Sequence, residues 1–206
     1  MIQRPRADEH EDFYRTSLGK EVLAAEVELL LDLLPEEGRV LSIGCGIGVH
    51  EAALRERRPA MELTCSDLQD EMRRSAPSDL NLVQADMTVL PFPDGTYDAV
   101  YEITALVFVH DPEKALSEMA RVLRPGGSLV LLSLNPLSKW GRDRLGQLPA
   151  PWGELEGLVA MVEAATGGVV HVDHALNLED DVLRESTGLE DAALIVLVSQ
   201  RPTSKS

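Results

Sequence analysis

The stretch from Arg39 to Leu134 constrains the fold most tightly. Short apolar runs alternate there with helical patterns, and the breaks fall at Gly, Pro and Asp. Arg39–Ile43, Met61–Cys65, Leu80–Ala85, Tyr97–Ile103 and Ser128–Leu134 read as strands, with Val49–Arg57, Leu68–Ser75 and Glu113–Leu123 as helices. Parallel neighbours need a crossover, so this alternation predicts an open, mostly parallel, doubly wound α/β sheet. The first, third, fourth and fifth strands are apolar on both faces, as expected of interior strands covered by helices. Pro59 and Pro77 stop two helices. Asp111-Pro112 starts a third with an N-cap and a first-turn proline, and Arg124-Pro125-Gly126-Gly127 reads as a sharp stop.

The flanks follow other rules. Arg4 to Arg15 is polar, and a helix is expected from about Ser17 to Leu34, closed by Pro35. Lys139–Pro151 reads as a Gly/Pro/Arg loop covering the strand ends, and Trp152–Ala165 as a helix ending at Gly167-Gly168. Val169–Leu178 and Ala192–Gln200 read as an antiparallel strand pair at a sheet edge, because no helix separates them. The expected organisation is one domain over 1–206: an N-terminal helical cap (1–35), a cofactor-binding core (36–134) and a C-terminal helix with the strand pair (135–206).

Composition narrows the partners. Lys+Arg number 19 against 35 Asp+Glu, a formal charge of −16, which repels nucleic-acid phosphates and anionic membranes. No run approaches the roughly 20 apolar residues of a membrane span. With two isolated cysteines and no apolar leader, a cytoplasmic protein is expected. The strand pair also offers an edge for a homodimer. His171 and His174 point to opposite faces of a strand, so no metal site is expected.

Chemistry concentrates in Ser42-Ile43-Gly44-Cys45-Gly46-Ile47-Gly48-Val49-His50. Alternate glycines allow a sharp turn and close approach of a ligand, and the next helix aims free N–H groups there. The third glycine of a dinucleotide fingerprint is replaced by Val49, which argues against a nicotinamide enzyme. Asp67 ends the second strand and can accept from both ribose hydroxyls of a nucleoside or simply cap a helix. Asp86 ends the third strand, where an adenine amino group would lie or a turn would be solvated. Together they form a nucleoside-binding constellation.

With Val-Leu-Ser-Ile-Gly-Cys-Gly-Ile-Gly at 40–48, Cys-Ser-Asp-Leu at 65–68, Ala-Asp-Met at 85–87, Leu-Pro-Phe-Pro-Asp-Gly-Thr-Tyr-Asp-Ala-Val at 90–100 and Arg-Val-Leu-Arg-Pro-Gly-Gly-Ser-Leu-Val-Leu at 121–131, the chain resembles the class I S-adenosylmethionine-dependent methyltransferases. It looks closest to their small-molecule, ubiquinone/menaquinone-biosynthesis-like (type 11) branch. The resemblance implies a Rossmann-like fold and S-adenosyl-L-methionine as cofactor, with S-adenosyl-L-homocysteine as product. It implies that Gly44, Gly46 and Gly48 hold the methionine part, with Cys45 a small cofactor-binding residue in the same turn, Asp67 the ribose, and Leu68, Asp86 and Met87 the adenine. Glu102 would border the methionine and the substrate. Ser42 stands where the family usually has a carboxylate for the cofactor's ammonium; Glu102 is the candidate to supply that charge.

The expected activity is methyl transfer to a small-molecule acceptor by in-line displacement. His110, just before the Asp111-Pro112 helix start, is the candidate general base, and Tyr14 and Trp140 are candidate substrate contacts. For Tyr101, inside the fourth strand, core packing is expected. Two alternatives stand beside this reading: a non-catalytic cofactor-binding or regulatory subunit, and a protein or nucleic-acid methyltransferase. The latter lacks an Asn/Asp-Pro-Pro-aromatic tetrad after the fourth strand, where Glu102-Ile103-Thr104-Ala105 stands.

Overall fold

The computed structural model describes residues 6–145, 150, 152–179 and 182–203. A parallel sheet forms from β1 (Gly38–Ile43), β2 (Met61–Asp67), β3 (Leu82–Gln84), β4 (Tyr97–Ile103) and β5 (Leu123–Leu134). Antiparallel β8 (Ala192–Gln200), β6 (Val170–Glu179) and β7 (Val182–Arg184) complete the order β3-β2-β1-β4-β5-β8-β6-β7. From β1 the chain winds outward to β2 and β3 on one side, while β4 and β5 lie on the other. That reversal opens a crevice beyond the carboxyl ends of β1 and β4, where ligands of such sheets bind.

Helices α3 (Val49–Arg57), α4 (Asp70–Ser75), α5 (Pro112–Val122) and α7 (Leu155–Thr166) cross between strands. Asp111 caps α5 by accepting from Lys114 N at 3.0 Å, and Gly167 ends α7 at φ 71°. Leu41, Val100, Leu129 and Leu131 are fully buried, and Tyr101 lies with them in the core. Asp98 accepts from Arg39 N (2.7 Å) and from the Arg124 guanidinium, tying β1, β4 and β5 together at the end away from the crevice.

The helical cap gains a second helix, and two expectations need correction. The polar segment before Arg15 contains a helix, α1 (Ala7–Arg15), docked on α2 (Ser17–Leu33). Its apolar content is low because only one face is covered. The expected loop after Lys139 begins as a helix, α6 (Lys139–Leu145), whose Gly141 fits against the carbonyl of Asn135; residues 146–149 and 151 lie outside the described residues. Arg124-Pro125-Gly126-Gly127 ends α5 but does not delay the strand, since β5 starts at Leu123 with a register shift. The β6–β8 pair forms as expected, with β7 added outside the end of β6.

Candidate functional site

A cavity of about 780 Å³ occupies the crevice. That is within the size range of pockets that enclose a small organic ligand. Its floor is the turn after β1. Gly44 has φ 68°, and a Cβ there would stand 2.4 Å from the Ala105 side chain. Gly46 has φ 57°, and a Cβ there would stand 3.0 Å from the His10 ring. Both need glycine on two counts, and their bare backbone forms part of the cavity wall.

Asp67, at the end of β2, is buried and lines the cavity. It accepts from Gly46 N at 2.9 Å and from Gln69 N at 2.8 Å. The carboxylate thus fixes the turn while bordering the cavity. Asp86, Leu68 and Met87 line the same end. Asp86 is exposed and accepts from Thr88 N and Oγ1, both at 2.8 Å. Charge-assisted bonds of this kind orient carboxylates at the cost of one oxygen's free capacity.

Across the cavity, α1 and α2 supply His10, Phe13, Tyr14, Val22 and Glu26. The segment after β4 supplies Ile103, Thr104, Ala105, Val107 and Phe108, and the C-terminal sheet supplies Leu176, Leu178 and Leu194. Among the described residues, the two non-glycine positions with positive φ are Thr104 (51°) and Leu176 (58°), and both line this cavity. Left-handed backbone at β-branched or bulky residues is strained, and such strain clusters at ligand sites. His110 lines the rim and is exposed; Tyr14 and Trp140 also line the cavity.

Three expected cofactor residues stand apart from the lining. Cys45 turns under the loop and packs with Cys65 and Leu80. Gly48 is the left-handed N-cap of α3 (φ 75°) and faces Leu80, so it serves helix–strand packing. Glu102 sits within β4, fully buried, and accepts from Ala105 N (2.7 Å) and Leu106 N (3.0 Å). Burial pushes its carboxyl up to about 7 despite those hydrogen bonds and one from Ser133. It therefore braces the loop behind the cavity and does not line the cavity itself. Ser42 itself donates to Glu51 Oε1 at 2.5 Å, as does Tyr101 at 2.8 Å, all below the cavity floor.

Sequence reasoning missed His10 and Glu26. His10 rests over Gly46, its Nδ1 buried without a hydrogen-bond partner. Burial and the nearby His50 lower its pKa to about 4, so it is neutral at pH 7. Glu26 and His50 form a buried pair, Oε2 to Nε2 at 2.7 Å. Burial alone would lower His50, but the Glu26 hydrogen bond and the Glu26 and Glu51 charges outweigh it and raise the pKa. The one available signal was the i, i+3, i+4 spacing of His10, Phe13 and Tyr14 on a single helix face.

Residues 41–131 match the family model described as "Methyltransferase domain". This segment is similar to the methyltransferase domains that the family model describes. Among curated relatives, the demethylmenaquinone methyltransferase of Thermus thermophilus is 38% identical over 120 residues, covering 55% of this chain and 54% of that protein. The 2-methyl-6-phytyl-1,4-hydroquinone methyltransferase of Synechocystis is 31% identical over 153 residues, covering 65% and 48%. The chain therefore spans about half the length of these relatives. Among solved structures, a methyltransferase from Thermotoga maritima, titled a possible histamine N-methyltransferase, superposes with TM-score 0.76 at 21% identity. That match covers 94% of this chain and 95% of the other, and at this identity it establishes the fold.

The cofactor that the sequence resemblance implies is S-adenosyl-L-methionine. The cavity of this chain fits such a molecule. A bare glycine cradle, a buried carboxylate at Asp67 and an unpartnered imidazole nitrogen at His10 offer complementary groups to a nucleoside bearing an amino acid. No described helix is long and apolar enough to cross a membrane.

Proposed function

We propose that the protein transfers a methyl group from S-adenosyl-L-methionine to a small, largely apolar acceptor. One observation carries the reading: a single cavity joins the glycine turn, Asp67 and Asp86 to a chamber walled by Phe13, Val22, Trp140, Leu176, Leu178 and Leu194. The relatives named above for demethylmenaquinone and for a phytyl hydroquinone support the same acceptor class.

When bound, the cofactor supplies a methyl carbon activated by a sulfonium, open to in-line displacement by an acceptor lone pair. The protein's own work is placement and exclusion of water, which in such reactions reaches roughly 7–11 kcal/mol. In this reading Asp67 receives the ribose hydroxyls, while Leu68 and Met87 flank the adenine and Asp86 meets its amino group. Gly44 and Gly46 let the methionine part lie on bare backbone. Phe108, Trp140 and Tyr14 border the acceptor and keep water from its nucleophilic atom. His110, at the rim, takes the acceptor's proton where the acceptor is a phenol or a protonated amine. The charge of −16 suits a cationic cofactor and disfavours nucleic-acid substrates, and a cytoplasmic location belongs to the same proposal.

The test is product formation. Purified protein with S-adenosyl-L-methionine and a panel of hydroquinones, phenols and small amines is expected to release S-adenosyl-L-homocysteine with at least one acceptor. Tight cofactor binding without turnover on any of them would instead make the chain a binding subunit.

A further inference from the structure

The cavity contains a carboxylate to which the mechanism gives no task. Five carboxylates line it: Glu9, Glu26, Asp67, Asp86 and Asp111. Glu9 lies on the exposed start of α1 and accepts from Arg6 N. Asp67 fixes the glycine turn, Asp86 its own turn, and Asp111 caps α5. Glu26 is different. It comes from the middle of α2, is 5% exposed, and is held by His50, the second residue of α3.

Its place follows from a chain of contacts. Helix α3 leaves the glycine turn directly, so His50 brings Glu26 beside that turn. The Tyr14 ring stands edge-on to His50 at 5.5 Å and to His10 at 5.2 Å, and His10 rests over Gly46. Glu26, Tyr14, His10 and Gly46 therefore form one wall. The other buried carboxylates nearby are directed elsewhere: Glu51 holds Ser42 and Tyr101, and Glu102 holds Ala105 and Leu106. Neither belongs to the cavity wall. A buried carboxylate with one imidazole partner still has lone pairs to fill, and an ammonium offers three donors at charge-assisted strength.

Resting on the cofactor assignment above, we propose that Glu26, oriented by His50, receives the ammonium of the cofactor's methionine moiety. The anion for that group thus comes from α2, outside the glycine-turn segment and eighteen residues before Gly44.

Calorimetry on the full chain tests this with three ligands: S-adenosyl-L-homocysteine, its analogue lacking the α-amino group, and 5′-methylthioadenosine, which lacks the whole amino-acid part. Loss of the amine is expected to weaken binding to the wild type by about 10- to 100-fold. Glu26→Gln is expected to lose a similar factor for S-adenosyl-L-homocysteine, to bind 5′-methylthioadenosine within about twofold of wild type, and to show no further loss with the deaminated analogue. If Glu26→Gln unfolds, Glu26→Asp keeps the charge but withdraws it by one methylene, and the same ligand dependence is expected at smaller size. The proposal is overturned if amine removal costs the wild type less than about twofold. Equal weakening of all three ligands by the substitution, or the same pattern from Glu51→Gln in place of Glu26→Gln, also overturns it. If the wild type binds none of the three, the cofactor assignment fails first.

Discussion

Glu102 shows how a single strand position can mislead. Its neighbour Tyr101 points into the core beside Glu51, and strand alternation turns Glu102 to the opposite face. There it meets the backbone of Ala105 and Leu106, not solvent. The residue type was legible in the sequence, but its partners were set by the bend after β4. The raised pKa has a testable sign. The folded protein favours the protonated form, so the group's contribution to stability is complete below about 4.5 and falls as pH rises through about 7. Glu102→Gln keeps the acceptor oxygen and cannot ionise. Urea unfolding is expected to show Glu102→Gln gaining on wild type between pH 5 and pH 8, by on the order of 3 kcal/mol at most. A difference that does not grow with pH contradicts the burial of the charge. The aspartates at 67 and 86 were readable as cavity residues because strand ends fix their address; the Glu26–His50 pair, 24 positions apart, depends on helix packing that no local pattern encodes.

At the scale of elements, β1, β4 and α3 were legible nearly to the residue: two short apolar runs, one preceding Gly44 and one following Gly95, and a helical pattern stopped by Pro59. Helix α1 was not. Among its nine residues the buried one is Ala7, and the helix is held by its contact with α2. That contact depends on Gly19, where a Cβ would stand 2.0 Å from the Phe13 carbonyl oxygen. Thr16 accepts from Gly19 N at 2.9 Å, so the helix junction and the close approach are one structure. Gly19→Ala is expected to push α1 away from the cavity and weaken S-adenosyl-L-homocysteine binding by about tenfold. Overpacking of this type costs roughly 1–3 kcal/mol, and undocking α1 relieves it without opening the sheet. Limited proteolysis is the check: faster cleavage within residues 6–16 with an intact core supports the role given to α1. Wild-type protection there argues against it.

For the whole molecule, the eight-stranded sheet gives a rigid platform, and the ligand end is assembled from segments far apart in sequence. Binding to the folded state alone must then stabilise it by linkage, about 2.7 kcal/mol at a ligand concentration one hundred times Kd. For a chain of 206 residues this corresponds to a rise in Tm of roughly 5–10 °C with S-adenosyl-L-homocysteine. The same whole-molecule charge of −16 predicts no retention of duplex DNA or tRNA in a gel shift at about 50 mM salt, where basic binders are held most strongly.

The arrangement of Asp67 over the glycine turn is the centre of the account, and one titration addresses it. S-adenosyl-L-homocysteine is titrated calorimetrically into the wild type and into Asp67→Ala. The variant loses both the proposed ribose acceptor and the bond to Gly46 N that sets the turn. One-to-one binding to the wild type, weakened by about 30-fold or more in Asp67→Ala, is the predicted result. Equal affinity for the two proteins, or none for the wild type up to millimolar ligand, would contradict it.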